Sequence, residues 1–469
     1  MPDQRYLSDA DAFTIQMESD PLLRSTIMAA AVFDDVPDWE QLKHRFERAT
    51  RLAPTFRQRL APGRGPLAPP RWVDDPHFDL SWHLRRVAVP SPRTLDTVLE
   101  MAQVMGISAF DPIRPRWEAT LVEGLEGGGS VLLLKIHHAL TDGIGGIQLA
   151  AHIVDLQRRP KKQPPMPDLP EIRHESALTA PTDWLRFDLD RLGGMALGAM
   201  RAVPSMMNAM IRRPLGVWTD LGETVLSTLR IVEPATTTLS PVMTQRKLSW
   251  RFQALDVPLD SLKEAGRCAS GSLNDAFLAG IAGGLTRYHA HHDEAVDHLR
   301  VTMPISLRTE HDSVGGNHIT LVRVPVPVGK LDPVSRMLAI DETTRNWRHE
   351  KALPHSALIA GALNLLPNAV TGGMLKHVDL VASNVPGFDF DVFMAGAQLE
   401  GFYVFGPPIG AAANITLMSY RNTCCIGLNT DVAAVPDHDV FAGCIQAGFD
   451  EVLGLCAQPA SANLRATVG

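Results

Sequence analysis

The stretch Ser130-Val131-Leu132-Leu133-Leu134-Lys135-Ile136-His137-His138-Ala139-Leu140-Thr141-Asp142-Gly143-Ile144-Gly145-Gly146 decides how the chain is read. Gly127, Gly128 and Gly129 break the chain just before it. Residues 131–136 are then a short apolar run bounded by turn formers, the pattern of a buried strand. Downstream, three glycines in four positions (Gly143, Gly145 and Gly146) predict a turn, and residues 147–156 have helical spacing. Two adjacent histidines therefore close a strand and enter a tight turn.

Strand geometry separates the pair, because successive side chains point to opposite faces. His138 shares its face with Ile136, Leu134 and Leu132, and His137 shares the other with Lys135, Leu133 and Val131. Two imidazoles so divided cannot easily grip one metal. The His138 face is uniformly apolar. An imidazole there, with an unperturbed pKa near neutrality, suits a general base meeting a hydrophobic substrate away from bulk water. The plainer alternative is a histidine serving only the fold. Asp142, four residues on, has two readings: it orients His138 as a carboxylate does in a triad, or it pins the turn through a salt bridge to an arginine while Gly143 supplies backbone freedom. The second is preferred. No Gly-x-Ser-x-Gly elbow occurs and no serine or cysteine stands out as a nucleophile, which points to direct transfer with the base activating the acceptor.

The remainder of the chain bounds this chemistry. It has 469 residues, 45% hydrophobic and 20% charged, ordinary globular usage with room for two or three domain-sized units. A net charge of −8 argues against nucleic-acid binding by global phosphate neutralisation. The five cysteines (Cys268, Cys424, Cys425, Cys444 and Cys456) form no C-x-x-C pair and no evident disulfide framework, so a reducing, cytoplasmic setting is expected. No secretory leader is legible, and no run of about 18 apolar residues reads as a membrane span.

Three regions follow: an N-terminal mixed α/β unit over 1–157, a linker and helical connector over 158–240, and a second mixed unit over 241–469. In the first, residues 27–33 read as a strand. Residues 37–51 read as a helix with Trp39, Leu42, Phe46 and Ala49 on one face and Pro37 in its first turn. The linker, residues 158–167, carries four basic residues and four prolines. The connector is rich in methionine, and residues 193–219 contain Arg201, Arg212 and Arg213 but no acidic residue. It reads as helices packed between domains, with a bilayer or lipid-droplet surface as the alternative setting. In the second unit, residues 247–255 alternate, residues 274–289 read as a helix, and 319–324 and 425–431 as strands. A histidine cluster at His289, His291 and His292 has no matching cysteine or carboxylate set, and no metal site is expected.

At this point a resemblance can be stated. His137-His138-Ala139-Leu140-Thr141-Asp142-Gly143 resembles the signature of the bacterial wax ester synthase/acyl-CoA:diacylglycerol acyltransferases, shared with peptide-synthetase condensation domains and polyketide-associated acyltransferases. Leu7-Ser8-Asp9-Ala10-Asp11 resembles the family's N-terminal start. Arg114-Pro115-Arg116-Trp117-Glu118 looks like its Pro-Leu-Trp segment, with Arg116 in place of leucine. Leu273-Asn274-Asp275-Ala276 resembles its Asn-Asp motif; Pro304-Ile305-Ser306-Leu307-Arg308 with Gly316-Asn317, and Ser383-Asn384-Val385-Pro386-Gly387, match later segments.

The resemblance implies a fold similar to chloramphenicol acetyltransferase: two mixed α/β halves joined by a crossover, with His138 in a central channel entered by the thioester from one side and the alcohol from the other. It implies an O-acyltransferase that uses acyl-CoA as co-substrate, needs no cofactor, and acylates diacylglycerol or a long-chain alcohol, peripherally at a membrane or lipid inclusion. The rivals are an acyltransferase fed by a carrier protein and a non-enzymatic lipid-droplet protein. His138 and Asp142 are the catalytic candidates, supported by His137 and Gly143. Asn274, Asp275, Arg308, Ser383 and Asn384 are the substrate-binding candidates. Asn274 orients substrate or caps a helix; Arg308 pairs with Asp142 across the halves or serves the fold elsewhere; Ser383 and Asn384 place donors at the channel or make a turn. Residues 356–367 read as a helix with room for an acyl chain or for close packing.

Overall fold

A computed structural model describes residues 6–63, 68–141, 143–160, 165–170, 237–306, 319–348 and 376–457. Residues 171–236 of the connector, Asp142, Arg308, Gly316, Asn317 and the segment 356–367 lie outside the described residues.

The N-terminal part contributes β1 (Thr26–Phe33), β2 (Gln58–Ala61), β3 (Arg71–Asp74), β4 (Leu84–Ala88), β5 (Trp117–Glu123) and β6 (Ser130–His137). Its helices are α1 (Asp9–Met17), α2 (Trp39–Leu52), α3 (Leu80–His83), α4 (Leu95–Ile107) and α5 (Gly143–Ala150). The C-terminal part contributes β7 (Trp250–Pro258), β8 (His298–Ser306), β9 (Ile319–Pro327), β10 (Leu380–Val385), β11 (Phe393–Met394), β12 (Ala397–Phe405), β13 (Ala413–Tyr420) and β14 (Thr423–Asp431). Around them run α6 (Leu259–Cys268), α7 (Leu273–His291), α8 (Pro333–Arg348) and α9 (His438–Ala457).

Two mixed six-stranded sheets result, in the orders β11-β12-β1-β6-β5-β4 and β7-β14-β13-β10-β8-β9. The apolar run before the histidines lies in the middle of the first, paired antiparallel to β1 on one side and β5 on the other. A strand with neighbours on both edges and layers on both faces needs near-continuous apolar residues, and β6 has them.

Several local expectations are refined. Pro37 precedes the N-cap of α2 rather than opening its first turn, because the Asp38 carboxylate already accepts the Gln41 N–H at 2.8 Å. Leu42, Phe46 and Ala49 are buried on the inner face of that helix. The glycines after the histidines do not make a turn followed by a helix. They form the first turn of α5, which ends at Ala150.

The two halves are not separable bodies. Strands β11 and β12, expected within the C-terminal unit, cross over to complete the N-terminal sheet, β12 pairing antiparallel with β1 and β11 with β12. The N-terminal core accordingly takes in Phe252, Met394, Leu399 and Phe405 from the second half. The sheets meet where Phe252 stacks on Phe405, centroids 4.4 Å apart. Gly427 is obligatory at this contact, since an added Cβ would lie 2.2 Å from the Val404 carbonyl oxygen. Tyr403 Oη donates to Asp256 at 2.9 Å across the same seam. On the far side α7 and α9 cross closely, with Gly284 facing Ile445 and Gly448 facing Gly280.

Candidate active site

The site is built from β6 outward. On one face, Leu134, Ile136 and His138 border a cavity of about 250 Å³. Strand register adds Ile27 opposite Ile136 and Ala29 opposite Leu134, then Val404 opposite Ala29. Phe46, Ala49, Phe56, Trp117, Ala150 and Ile153 close one end, almost without polar atoms. The opposite wall is one face of the second sheet. Val381, Ser383 and Val385 of β10 stand in register with Asn414, Thr416 and Met418 of β13, and all six border the cavity. His138 thus faces a space apolar at one end and carrying hydroxyl and amide groups along the other wall. Thr141 and Ile409 also line it. Ile409 sits at φ +49, a left-handed backbone conformation a β-branched residue rarely takes.

The other face of β6 is a locked polar column. Lys135 is buried and reaches Glu118 at 3.4 Å. His137 is fully buried; its Nε2 lies 2.9 Å from Glu18 Oε1, and its Nδ1 accepts the Ala139 N–H at 3.0 Å. With Nδ1 accepting, the ring proton of neutral His137 is on Nε2 and is donated to Glu18. Glu18 also accepts from the Ser25 N–H at 2.8 Å and from Arg116 Nη1 at 3.1 Å. Burial pushes the Glu18 carboxyl up, but the hydrogen bond from His137, the Ser25 amide and the Arg116 guanidinium together hold it below the ordinary glutamate value. Arg116 therefore has a partner in this carboxylate.

Trp117 is fixed from behind. Its Nε1–H donates to the Phe56 carbonyl at 2.8 Å, and its ring lies between those of Phe46 and His83, at 6.0 and 4.6 Å between centroids. His83 is fully buried, donates Nδ1–H to the Trp117 carbonyl at 2.7 Å, and is pushed down to about 4 chiefly by burial.

Of the sequence candidates, the cavity brings together His138, Ser383 and Asn384. His137 is directed away from it, as the alternation requires, and Gly143 opens α5 beside it. Asn274 and Asp275 do not line it. The N-cap of α7 is Ser272 rather than Asn274. The Asp275 carboxylate is spent on that capping box, accepting from the Ser272 N–H at 2.7 Å and Oγ–H at 2.6 Å. Asp142 and Arg308 lie outside the described residues, as does their pairing. In the histidine cluster, His289 Nε2 meets Ser240 Oγ at 2.8 Å and His292 meets Asp437 at 3.1 Å, and no group of three metal-binding side chains occurs among the described residues. Sequence reasoning missed Asn414, Thr416, Phe46 and Glu18 as parts of the site. Only Trp117 carried a signal, through the segment resembling Pro-Leu-Trp.

Comparison with known proteins identifies the family. The family model for the wax ester synthase/diacylglycerol acyltransferase catalytic domain matches residues 7–277, and the model for the C-terminal domain of the same family matches 315–452. A protein of Mycobacterium tuberculosis strain H37Rv, named as a candidate diacylglycerol O-acyltransferase, is 38% identical over 470 residues, covering 98% of this chain and 94% of its own length. A second protein of that strain with the same name is 32% identical over 396 residues, covering 80% and 82%. Among solved structures, the wax ester synthase/diacylglycerol acyltransferase from Marinobacter aquaeolei VT8 superposes with a TM-score of 0.65 at 21% identity, over 96% of this chain and all of that one. The first condensation domain of the CDA synthetase gives 0.60 at 13% identity, over 98% of both chains, a likeness of fold alone. The chain is an O-acyltransferase belonging to the wax ester synthase/diacylglycerol acyltransferase family.

Proposed function

We propose that the chain transfers a long-chain acyl group from acyl-CoA to the hydroxyl of diacylglycerol or a long-chain alcohol, with His138 as general base. A ring nitrogen of His138 takes the proton of the acceptor hydroxyl as its oxygen attacks the thioester carbonyl. The tetrahedral oxyanion collapses with cleavage of the C–S bond, and His138 returns the proton to the departing CoA sulfur. No covalent acyl-enzyme is needed. The observation that carries this reading is the position of His138: it is the member of the pair on the cavity face, between an aromatic, apolar end and a wall bearing Ser383, Asn414 and Thr416.

The acyl chain runs into the apolar end, past Ala49 and Phe46 toward Trp117, where its burial supplies about 0.8 kcal/mol per methylene. Ser383 and Asn384 stand at the reacting carbonyl or the acceptor oxygen. Neither side chain has a hydrogen-bond partner among the described residues, so both keep their capacity for substrate. Asn414 and Thr416 stiffen that wall: Thr416 Oγ–H donates to Asn414 Oδ1 at 2.7 Å, and Asn414 Nδ2 donates to the Pro407 carbonyl at 3.0 Å. Asp142 supports the base rather than exchanging a proton with substrate in this reading. Asn274 and Asp275 serve the fold rather than the substrate. The lipid acceptor is met at a membrane or lipid-inclusion surface, because neither diacylglycerol nor a fatty alcohol is carried freely in water; no described helix is long and apolar enough to cross a membrane.

The test is thiol release from palmitoyl-CoA with diacylglycerol or hexadecanol as acceptor. Acceptor-dependent release that disappears in His138→Ala is expected. Turnover only with an acylated carrier protein would replace this reading by the carrier-fed one. No turnover with any donor would leave a lipid-binding protein.

A further inference from the structure

Three consecutive main-chain N–H groups surround the proposed base, and each has a defined acceptor. His137 N–H donates to the Arg116 carbonyl at 3.1 Å, His138 N–H to the Ser25 carbonyl at 2.9 Å, and Ala139 N–H to His137 Nδ1 at 3.0 Å. The acceptors come from three distant places in the chain, yet they share one feature. Arg116, Ser25 and His137 all donate to the same carboxylate, Glu18, through the Arg116 guanidinium, the Ser25 amide and the His137 ring. Glu18 follows α1 directly as its C-cap. It therefore joins the end of α1, the entry to β1, the entry to β5 and the end of β6 at one point.

We propose that Glu18 is the positioning residue for His138. Its carboxylate holds the three groups that in turn hold the backbone on which the base stands. Arg116 serves as its counter-charge.

Glu18 is half-buried, and a carboxylate taken partly out of water is tolerated only when well-placed donors meet it. Glu18 meets three, and hydrogen bonds linked in this way reinforce one another. The His137 ring is fixed at both nitrogens, so it can neither flip nor leave its tautomer without losing a bond. Errors of about 1 Å in the placement of a reacting group cost on the order of 10²-fold in rate. The shared imidazole pair thus has a division of labour in this chain: the first ring is a strut between Glu18 and the main chain, the second does the chemistry.

This inference rests on His138 being the base, and the experiment separates the two ideas. In the full-length protein, kcat and KM for palmitoyl-CoA are measured for wild type, Glu18→Ala, Glu18→Gln and His138→Ala, at a temperature where circular dichroism shows each fully folded. Glu18→Ala should lower kcat by about 10²-fold with KM within about threefold. Glu18→Gln should recover about tenfold of that loss, because the amide oxygen still accepts from His137 or Ser25. The positioning role is overturned if Glu18→Ala keeps kcat within about threefold of wild type, if the glutamine variant is no better than the alanine one, or if KM changes as much as kcat. Should Glu18→Ala fail to fold, Glu18→Gln decides alone: a roughly tenfold lower kcat at unchanged KM supports the proposal, and an unchanged kcat sinks it. A fully active His138→Ala would refute the base assignment itself. An inactive His138→Ala beside a fully active Glu18→Ala would refute only the positioning role.

Discussion

His137 and His138 are neighbours on one strand with opposite surroundings. His137 is fully buried, with both ring nitrogens engaged within 3.0 Å by Glu18 and the Ala139 amide. His138 is half-buried and borders a cavity made by both sheets. His83 belongs with the locked ring rather than the open one: it is sealed behind Trp117, far below its ordinary pKa. The same side chain is thus a strut in two places and a candidate base in one. What separates them is the strand face and the packing behind it, not the residue type. His137, held at both nitrogens, and His83, sealed behind Trp117, cannot meet a substrate, whereas His138 borders the cavity where one would lie.

The contrast can be broken most decisively at His138. Changing it to alanine should cost about 10²–10⁴-fold in kcat, the usual size of general-base assistance, with the melting temperature near that of wild type. The acid limb of the stability curve tests His83 next. Its folded pKa is depressed, so the unfolded chain takes up the proton first. Stability should be full above about pH 6.5, fall as the pH drops toward about 4, and level off below that. The total is at most about 3 kcal/mol, and a His83→Phe variant followed by urea unfolding should show a flatter curve over that window.

His137→Ala should invert the signature of His138→Ala. It should lose about 1–3 kcal/mol of stability, because Glu18 and the Ala139 amide are left short of a partner, while losing less kcat than the His138 variant. Equal activity losses with normal melting would contradict the division between the two rings. Farther along the open face, Ala49→Phe should shorten the apolar end and shift preference from palmitoyl-CoA toward octanoyl-CoA by roughly tenfold, read as a ratio of kcat/KM. The smallest effect is expected at Ser383→Ala, a two- to tenfold drop in kcat/KM, the worth of about one neutral hydrogen bond.

Much of this was legible in the residues. The period of two along β6 assigned each histidine its face, and the cavity lies on the side that carries Leu134 and Ile136. The apolar stripe of α2 and the helix beginning near Asn274 were readable from spacing, and the resemblance around residues 137–143 pointed to the family and its two-halved fold. The departures were local and instructive. The motif of Asn274 and Asp275 sits at a helix start, where a polar side chain serves a ligand or a cap equally well, and the sequence left both readings open. Here the carboxylate closes on Ser272. The glycines after His138 looked like a turn, because composition cannot tell a glycine-rich turn from a glycine-rich first turn of a helix.

The sequence by itself determined the local elements, the face each histidine takes and the chemistry an imidazole brings, since these depend on neighbours within a few residues. Tertiary structure alone decided what surrounds them. It moved β12 into the N-terminal sheet, set Asn414 and Thr416 beside Ser383 through a parallel pairing, and brought Glu18 to His137 across 119 residues of chain. Such partners are selected by packing and by the need to satisfy buried donors and acceptors, which act only once distant segments meet, so no local pattern in the chain records them.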